Sequence, residues 1–217
     1  MSPKRDYDRT RDFSKTPEPR ARKGSKKEGR WPLFVIQQHA ATSMHWDLRL
    51  EADGTLKSWA VPRGPSTDPR DKRLAMPTED HPLEYVDFEG FIPMDEYGGG
   101  PMIIWDRGVY ENRSVDKRGK EISVSEGIEL GSVKVYLHGQ KISGGYALVR
   151  TGSKAGERAR WLLVKERDSE ASARRKPTRT QMKSVVSGRT LRQVIDEEAS
   201  AADRKKAAKR LAAARAR

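Results

Sequence analysis

The sequence predicts a mainly β domain, an antiparallel barrel or sandwich with a few short helices, between a basic N-terminal arm and a basic C-terminal tail. From residue 31 onward, short apolar or alternating runs such as WPLFVIQQH, LKSWAVP, PMIIWDRGVYE, SVKVYLHG, GGYALVRT and RWLLVKER have the pattern of strands. Turn signals such as ADGT, PRGPSTDP, YGGGP and SGG separate these runs at short intervals. Short connections favour antiparallel pairing over a βαβ fold.

Charge divides the chain into three parts. Residues 1–30 carry 11 Lys or Arg and 5 Asp or Glu, residues 171–217 carry 14 and 4, and residues 31–170 carry 19 and 22. We therefore expect a basic arm over 1–30, a β domain over 31–170 and a basic Ala/Arg-rich tail, helical or disordered, over 171–217. Basic flanks gain affinity for a polyanion by releasing its counterions, so nucleic acid is the expected partner. Tails that serve only solubility are the alternative.

Composition excludes several classes of protein. No run of about 18 apolar residues is present, and the N-terminal MSPKRDYDRTRDF lacks the apolar segment of a signal peptide. The flanks also lack large apolar residues that would insert into a membrane surface. We expect a cytoplasmic protein with no membrane partner. Because the chain has no cysteine, any metal must be held by nitrogen and oxygen ligands.

Two segments have helical character. SVSEGIELGSVKVYLHG is compatible with a short helix or with one more strand. Residues 189–213 have high helix propensity, but Leu191, Val194 and Ile195 are too few to define a continuous apolar stripe. We expect a helix that docks weakly or that forms only on nucleic acid. The five tryptophans mostly fall within strand-like runs and are expected in the core.

The stretch HAATSMHWDLRLE places two of the four histidines close to an aspartate and an arginine. If residues 45–50 form a strand, His45, Asp47 and Arg49 project to one face. His39, His45 and Asp47 could then converge on one ion, with Mn²⁺, Fe²⁺ and Zn²⁺ all compatible with these ligand types. The alternative is that the histidines are exposed loop residues and that Asp47 forms a salt bridge with Arg49.

A second cluster follows in DKRLAMPTEDHPLEY, which supplies Arg73, Glu79, Asp80, His81 and Tyr85. Arg49 and Arg73 together could grip the non-bridging oxygens of a phosphate with bidentate geometry. His81 could donate a proton to the leaving oxygen or a hydrogen bond to the phosphate. The alternative pairs Arg73 with Glu79 or Asp80 on a solvated loop.

Two further features have structural interpretations. The glycines of YGGGP are followed by a strand-like run, so they fit neither a P-loop nor a dinucleotide fingerprint. We interpret them as turn-forming residues that let the chain close over the site. His138, in YLHGQ, lies outside both clusters and is expected to be a surface residue.

The chain from HAATSMHWDLRLEADGTLKSWAVPRGP through DKRLAMPTEDHPLEY to IPMDEYGGGPMIIWDRG resembles the 3′-phosphoesterase domain of bacterial DNA ligase D, a multifunctional end-joining enzyme, and its stand-alone relatives. The resemblance covers residues 31–167 and extends back to RDFSKTPEP. It implies a compact antiparallel β-barrel and an Mn²⁺-dependent enzyme, with Zn²⁺ or Co²⁺ as other candidate ions. Such enzymes remove a 3′-terminal ribonucleoside to leave a 3′-phosphate, and then remove that phosphate to leave a 3′-OH.

The resemblance also implies roles for individual residues. The matched metal ligands are His39, His45 and Asp47. The matched catalytic positions are Asp12, Glu18, Arg49, Arg73, Glu79, His81 and Tyr85. The matched phosphate contacts are Arg49, Arg63, Arg73 and His81. Arg63 stands where the family usually has Lys, and Asp12 and Glu18 belong to an N-terminal DF-x-x-T-x-E element that would fold the start of the arm over the site.

The sequence therefore predicts a metal-dependent 3′-phosphoesterase, a phosphatase and ribonuclease for the 3′ ends of DNA or DNA/RNA primer–templates in repair and end joining. Because this chain has no polymerase or ligase domain, we expect separate ligase, polymerase and Ku-like partners, and a monomer. One alternative is a non-catalytic nucleic-acid-binding module. Another is a non-haem iron oxygenase using His45, Asp47 and either His81 or His138, although His39 supplies a nearer third ligand.

Overall fold

The computed structural model describes residues 7–20, 30–152 and 159–215. Parts of the predicted arm and tail, at residues 1–6, 21–29 and 216–217, lie outside the described residues. The strands are β1 (Leu33–Ala40), β2 (Met44–Ala52), β3 (Thr55–Val61), β4 (Lys72–Pro77), β5 (Gly90–Ile92), β6 (Gly100–Asn112), β7 (Ser132–Gly139), β8 (Ser143–Thr151) and β9 (Arg160–Lys165). The helices are a 3₁₀ helix (Leu83–Asp87), α1 (Val124–Leu130), α2 (Pro177–Thr180), α3 (Leu191–Glu198) and α4 (Ala201–Arg215).

The strands form one antiparallel sheet that closes on itself. Their order is β1-β2-β3-β4-β9-β8-β7-β6-β5, and an additional pairing of β1 with β6 closes the first eight into a barrel. The short strand β5 extends the sheet along β6. The predicted mainly β fold with an antiparallel barrel and short helices is thus confirmed. Closure leaves these eight strands without a free edge between β1 and β6.

The barrel interior is filled by apolar side chains from every wall. Four of the five tryptophans are buried there, as predicted: Trp46, Trp59, Trp105 and Trp161. The fifth, Trp31, precedes β1 and is 51% exposed, so the expectation of a core position does not hold for it. Strand β2 shows the alternation clearly, because Trp46, Leu48 and Leu50 all belong to the interior cluster.

The outer face of β1 and β2 is also covered. A second apolar cluster outside the barrel includes Val35 of β1, Leu56 of β3 and Tyr85 of the 3₁₀ helix, together with Tyr7 of the arm. The 3₁₀ helix and the described part of the arm therefore lie over the outer wall. Polar residues on the outer face of β1 and β2 are buried between the barrel and this cover.

Residues 189–213, which the sequence suggested form one weakly docked helix, contain α3 and most of α4, two separate helices. In α3, Leu191, Val194 and Ile195 are 3%, 0% and 0% exposed. They pack in a third apolar cluster with Phe91 and Ile103. The expectation of weak docking is wrong for α3, because these apolar side chains meet a complementary surface on β5 and β6. No helix among the described residues is long and apolar enough to span a membrane.

Candidate active site

Strands β1 and β2 bring the three predicted metal ligands together. His39, near the end of β1, pairs directly with His45, near the start of β2, and Asp47 follows two residues later on the same face. One nitrogen from each imidazole and one Asp47 oxygen lie within 4.8 Å of one another. No other group of three or more potential ligands this close occurs in the described ranges.

The backbone orients both imidazoles toward the carboxylate. Nε2 of His39 lies 2.8 Å from the carbonyl oxygen of Gly98, and Nδ1 of His45 lies 2.9 Å from that of Ser43. A carbonyl can only accept a hydrogen bond, so each of these nitrogens carries the proton and donates. The other nitrogens, Nδ1 of His39 and Nε2 of His45, lie 3.7 and 3.5 Å from Oδ2 of Asp47. Metal-binding histidines are commonly held in this way, with one nitrogen donating and the other free to coordinate.

Burial and charge set the ionisation of this group. Burial lowers the pKa of His39, which favours a neutral imidazole. Burial also acts to lower the pKa of His45, but the Asp47 carboxylate raises it above its ordinary value. Burial works against ionisation of Asp47, yet Arg49 and both histidines hold its pKa well below the usual range. The group therefore presents an anionic oxygen beside two nitrogen ligands, a donor set that fits a divalent transition metal.

Arg49 links this group to His81. Its Nη2 donates to Asp47 Oδ2 over 3.2 Å, and its Nε donates to Gln37 Oε1 over 2.7 Å. Nη1 donates to Ser58 Oγ over 2.9 Å and lies 2.9 Å from Nδ1 of His81. Arg49 is only 2% exposed, so its charge acts in a poorly solvated environment.

His81 is fixed by the backbone and lies between a donor and an acceptor. Its peptide exchanges hydrogen bonds with Leu56 of β3, and its Nδ1 lies 2.8 Å from the carbonyl oxygen of Glu79. The Glu79 carbonyl only accepts while Arg49 only donates, so Nδ1 satisfies one of them at a time. Burial, Arg49 and Arg11 hold the pKa of His81 well below its ordinary value. The ring is therefore neutral near neutral pH.

The arm contributes Arg11, which the sequence interpretation missed. Nε of Arg11 donates to Glu18 Oε1 over 3.0 Å, and Nη1 pairs with Glu79. Its Nη2 lies 3.4 Å from Nε2 of His81, and its guanidinium lies 3.9 Å from the centre of the Tyr7 ring. The sequence signal was its position beside the DF-x-x-T-x-E element. The structure adds that Arg11 is the second arginine beside His81.

Glu18 and Tyr85 complete the cover of the site. The Tyr85 hydroxyl donates to Glu18 Oε1 over 2.9 Å, and its ring lies 4.7 Å from that of His81. Burial and then the Glu18 carboxylate raise the pKa of Tyr85 well above its ordinary value, so the hydroxyl remains a donor. The structure thus brings Glu18, Glu79, His81 and Tyr85 together around Arg49 and Arg11.

Gln37 is a second residue that the sequence interpretation missed. It is fully buried on β1, and its Nε2 donates to the carbonyl oxygens of Tyr85 and Phe88 over 3.1 and 2.8 Å. Its Oε1 therefore points at Arg49 in a fixed orientation. The available signal was the two-residue spacing to His39, which places both side chains on one face.

Three predicted site residues lie apart from this group. The Asp12 side chain is 46% exposed and accepts hydrogen bonds from Ser14 within the arm. Arg73 pairs with Asp71, not with Glu79 or Asp80. Asp47 pairs with Ala60 of β3, and Ala60 pairs with Met76 of β4, so Asp47 and Met76 lie on the same face of the sheet. Arg73 stands three residues before Met76 and therefore lies on the opposite face. Arg63 follows β3 and is exposed.

His138, the fourth histidine, lies on β7. Its Nε2 is 2.7 Å from Glu111 Oε1, and its ring lies 5.1 Å from that of Trp31. Its side chain is 37% exposed, as expected for a surface residue. The ligand group in the described residues contains His39 and neither His81 nor His138, so the histidine expected to complete an oxygenase triad is not the one observed.

Most of this chain is similar to proteins of one known family. The family model for the DNA ligase D 3′-phosphoesterase domain matches residues 37–150. The multifunctional non-homologous end joining protein LigD of Pseudomonas aeruginosa is 46% identical over 191 residues, 87% of this chain and 22% of that protein. LigD of Mycolicibacterium smegmatis is 44% identical over 164 residues, 76% of this chain and 20% of that protein. LigD of Mycobacterium tuberculosis is 46% identical over 156 residues. The chain spans about a fifth of the length of the curated relatives it matches.

Proposed function

Because this chain belongs to the DNA ligase D 3′-phosphoesterase domain family, we propose that it is a metal-dependent phosphoesterase acting on nucleic-acid 3′ ends in DNA end joining. It would remove a 3′-terminal ribonucleoside to leave a 3′-phosphate, and then remove that phosphate to leave a 3′-OH for a polymerase or ligase. The observation that carries this proposal is the continuous contact from Asp47 through Arg49 to His81, which joins the candidate metal ligands to the residues that we propose bind the phosphate.

We propose Mn²⁺ as the ion, held by Nδ1 of His39, Nε2 of His45 and a carboxylate oxygen of Asp47. The fit rests on the donor set, since both imidazoles are turned by backbone carbonyls so that their free nitrogens face Asp47. A bound divalent ion would withdraw electron density from a phosphate oxygen and offset the negative charge that develops in the transition state. Zn²⁺ and Co²⁺ suit the same ligands.

The remaining residues handle the phosphate. Arg49 and Arg11 reach His81 from its two ring nitrogens, so a phosphate beside His81 meets N–H donors from both guanidinium groups. Donors fixed in a buried site stabilise developing charge more than donors in water do. His81, neutral near pH 7, would donate a hydrogen bond to the phosphate or to the leaving 3′ oxygen. Glu18 and Tyr85 hold this arrangement and exclude water from it.

The test uses a 5′-labelled primer–template ending in a 3′-phosphate, incubated with Mn²⁺, with Mg²⁺ or with EDTA. We expect conversion to a 3′-OH end with Mn²⁺, none with EDTA, and loss of conversion in His45→Ala. His138→Ala is the matched control, because it removes an exposed histidine outside the ligand group and should leave activity unchanged. A primer with one 3′-terminal ribonucleotide tests the ribonuclease step. If the wild-type protein converts neither substrate while it still binds DNA, the fold acts as a binding module and the proposal is wrong.

A further inference from the structure

An exposed aromatic ring lies beside the candidate active site. Tyr97 is in the loop between β5 and β6, and 58% of it is exposed to solvent. The next residue, Gly98, accepts the hydrogen bond that orients His39. Of the chain's residues in this loop, Tyr97 is the one that offers a large apolar surface to solvent immediately beside a candidate metal ligand.

Glycines hold this loop tightly against the barrel. Gly98 has a φ of +75°, which favours glycine. A Cβ on Gly99 would lie 2.5 Å from the carbonyl oxygen of Pro93, and one on Gly100 would lie 2.2 Å from that of Ala40. Backbone hydrogen bonds of 3.0 Å from Glu96 to Pro93 and from Gly99 to Glu96 close two tight turns. The loop therefore presents Tyr97 from a closely packed base.

Tyr97 also touches the phosphate-handling side of the site. Its ring centre lies 5.3 Å from the guanidinium carbon of Arg11. The same guanidinium lies 3.4 Å from Nε2 of His81 and is covered on another side by the Tyr7 ring. The Arg11 side chain is only 4% exposed, so Tyr97 is the outermost ring of this stack. The exposed ring thus lies next to the groups proposed to bind a terminal phosphate.

Resting on the proposed function, we propose that Tyr97 is a stacking platform for the nucleobase at the 3′ terminus of the strand being processed. A phosphate bound between Arg49, Arg11 and His81 carries its nucleoside outward, and the exposed ring beside Arg11 is the apolar surface available to that nucleoside. Every nucleobase has a π face, so stacking holds the terminus without choosing sequence. This sequence tolerance suits an enzyme that must accept any broken end.

The experiment places the fluorescent base 2-aminopurine either at the 3′ terminus or several nucleotides inside a 3′-phosphate primer–template. Binding is measured in EDTA, which prevents turnover, with wild type, Tyr97→Phe and Tyr97→Leu. Trp31→Leu is the matched control. Trp31 is a similarly exposed aromatic residue, but it precedes β1 and so lies at the opposite end of that strand from His39. We expect the fluorescence of the terminal 2-aminopurine to be quenched on binding to wild type and to Tyr97→Phe. Tyr97→Leu should lose this quenching and raise Kd roughly tenfold, whereas Trp31→Leu should change neither. The internal probe should not respond to Tyr97.

The outcomes separate this inference from the proposed function. If Tyr97→Leu keeps the terminal quenching, or if Trp31→Leu loses it equally, the inference is wrong. If Tyr97→Leu lowers kcat without changing the quenching, Tyr97 only positions Arg11 and the inference is again wrong. If wild type shows Tyr97-dependent quenching but hydrolyses neither substrate, the stacking platform is supported and the catalytic proposal fails.

Discussion

At the scale of single residues, Arg49 contacts side chains from several elements of the candidate site. Its guanidinium joins Gln37 of β1, Asp47 of β2 and Ser58 of β3, and it also contacts His81. These contacts use all three guanidinium nitrogens, which fixes the side chain before any substrate arrives. A fixed donor costs no reorganisation when charge develops on a bound phosphate. The geometry of the guanidinium, and not only its charge, is therefore expected to matter.

Arg49→Lys tests this expectation. Lysine keeps the positive charge, but its single ammonium group cannot reproduce contacts from three nitrogens. We expect kcat for removal of a 3′-phosphate to fall by about 100-fold or more, whereas Mn²⁺ affinity stays within a few fold because the three ligands remain. Steady-state kinetics and calorimetric titration with Mn²⁺ measure the two effects. Arg107→Lys, at an arginine whose ion pair with Asp87 is exposed, is the control and should leave both unchanged.

The residues of the site differed in how far sequence could place them. Strict alternation along one strand puts His45, Asp47 and Arg49 on one face, and this prediction is confirmed by the strand register. Alternation does not reveal which distant segments cover that face. Arg11 was missed because its partners Glu79 and His81 are about 70 residues away. A contact at such separation leaves no periodic signal in the sequence.

Lys141 shows how burial alters a single charge. It lies in the turn between β7 and β8, and its Nζ donates to the carbonyl oxygens of Gln181, over 3.0 Å, and of Lys183. Burial lowers the pKa of Lys141 to about 8, although the Asp106 carboxylate acts in the opposite direction. The folded protein therefore releases this proton at a lower pH than the unfolded chain, in which the pKa is near its ordinary value of 10.5.

This shift predicts a dependence of stability on pH. Between pH 8 and 10.5 the unfolded chain holds more protons at Lys141 than the folded protein does, so the free energy of unfolding rises with pH in this window. One proton contributes at most about 1.4 kcal/mol per pH unit. We expect urea denaturation at pH 7.5, 8.5 and 9.5 to show a rise in wild type that is reduced in Lys141→Met. Equal pH dependence in both proteins would contradict the assignment.

At the scale of secondary structure, local sequence patterns predicted the strands better than the helices. The apolar runs quoted from the sequence all fall on strands, because alternation is local. The segment SVSEGIELG, left open between helix and strand, begins α1 with a capping box: Ser123 Oγ accepts from Glu126 N, and Glu126 Oε2 accepts from Ser123 N. This S-x-x-E signal was present in the sequence. The helix preference of this capping box outweighs the strand preference of the β-branched residues around it.

The docking of α3 could not be predicted in the same way. Its apolar residues need a partner surface, and that surface comes from Phe91 and Ile103, about 90 to 100 positions earlier. Glu198 adds a polar tie, since its Oε2 accepts from the backbone N–H of Phe91 over 2.8 Å. Only the folded barrel brings the two sides together. The short apolar stripe of α3 is therefore sufficient for firm packing.

Ile195→Ala measures how firmly α3 is packed. Ile195 is 0% exposed, so its truncation leaves a cavity that the neighbouring residues fill only in part. We expect the free energy of unfolding, measured with urea, to fall by about 2–4 kcal/mol. Arg192→Ala, on the exposed side of the same helix, should cost about 0.5 kcal/mol or less. Similar small losses in both variants would mean that α3 contributes little to the fold.

At the scale of the whole molecule, the basic C-terminal segment lies next to the candidate site. Ala207 and Leu211 of α4 are buried, which turns Lys205 and Lys209 to solvent. Arg210 reaches the carbonyl oxygens of Ala41 and Gly99 over 3.4 Å, and these belong to the loops that flank His39 and His45. Positive charge is thus placed beside the candidate ligand group.

This placement predicts which charges bind nucleic acid. We expect Lys205→Gln/Lys209→Gln to weaken binding to primer–template DNA and to reduce the slope of log Kd against log salt by about 1 to 2, because each lost phosphate contact removes roughly 0.9 from that slope. Lys117→Gln/Lys120→Gln is the matched control. It removes the same charge from an exposed loop after the far end of β6. The eleven residues of β6 from Met102, which pairs with His39, to Asn112 separate this loop from His39 by roughly 30 Å. Net charge alone would make both pairs equivalent. If nucleic acid binds at a local surface, only the α4 double variant changes the slope of log Kd against log salt. In both double variants, kcat at saturating DNA should stay at the wild-type value.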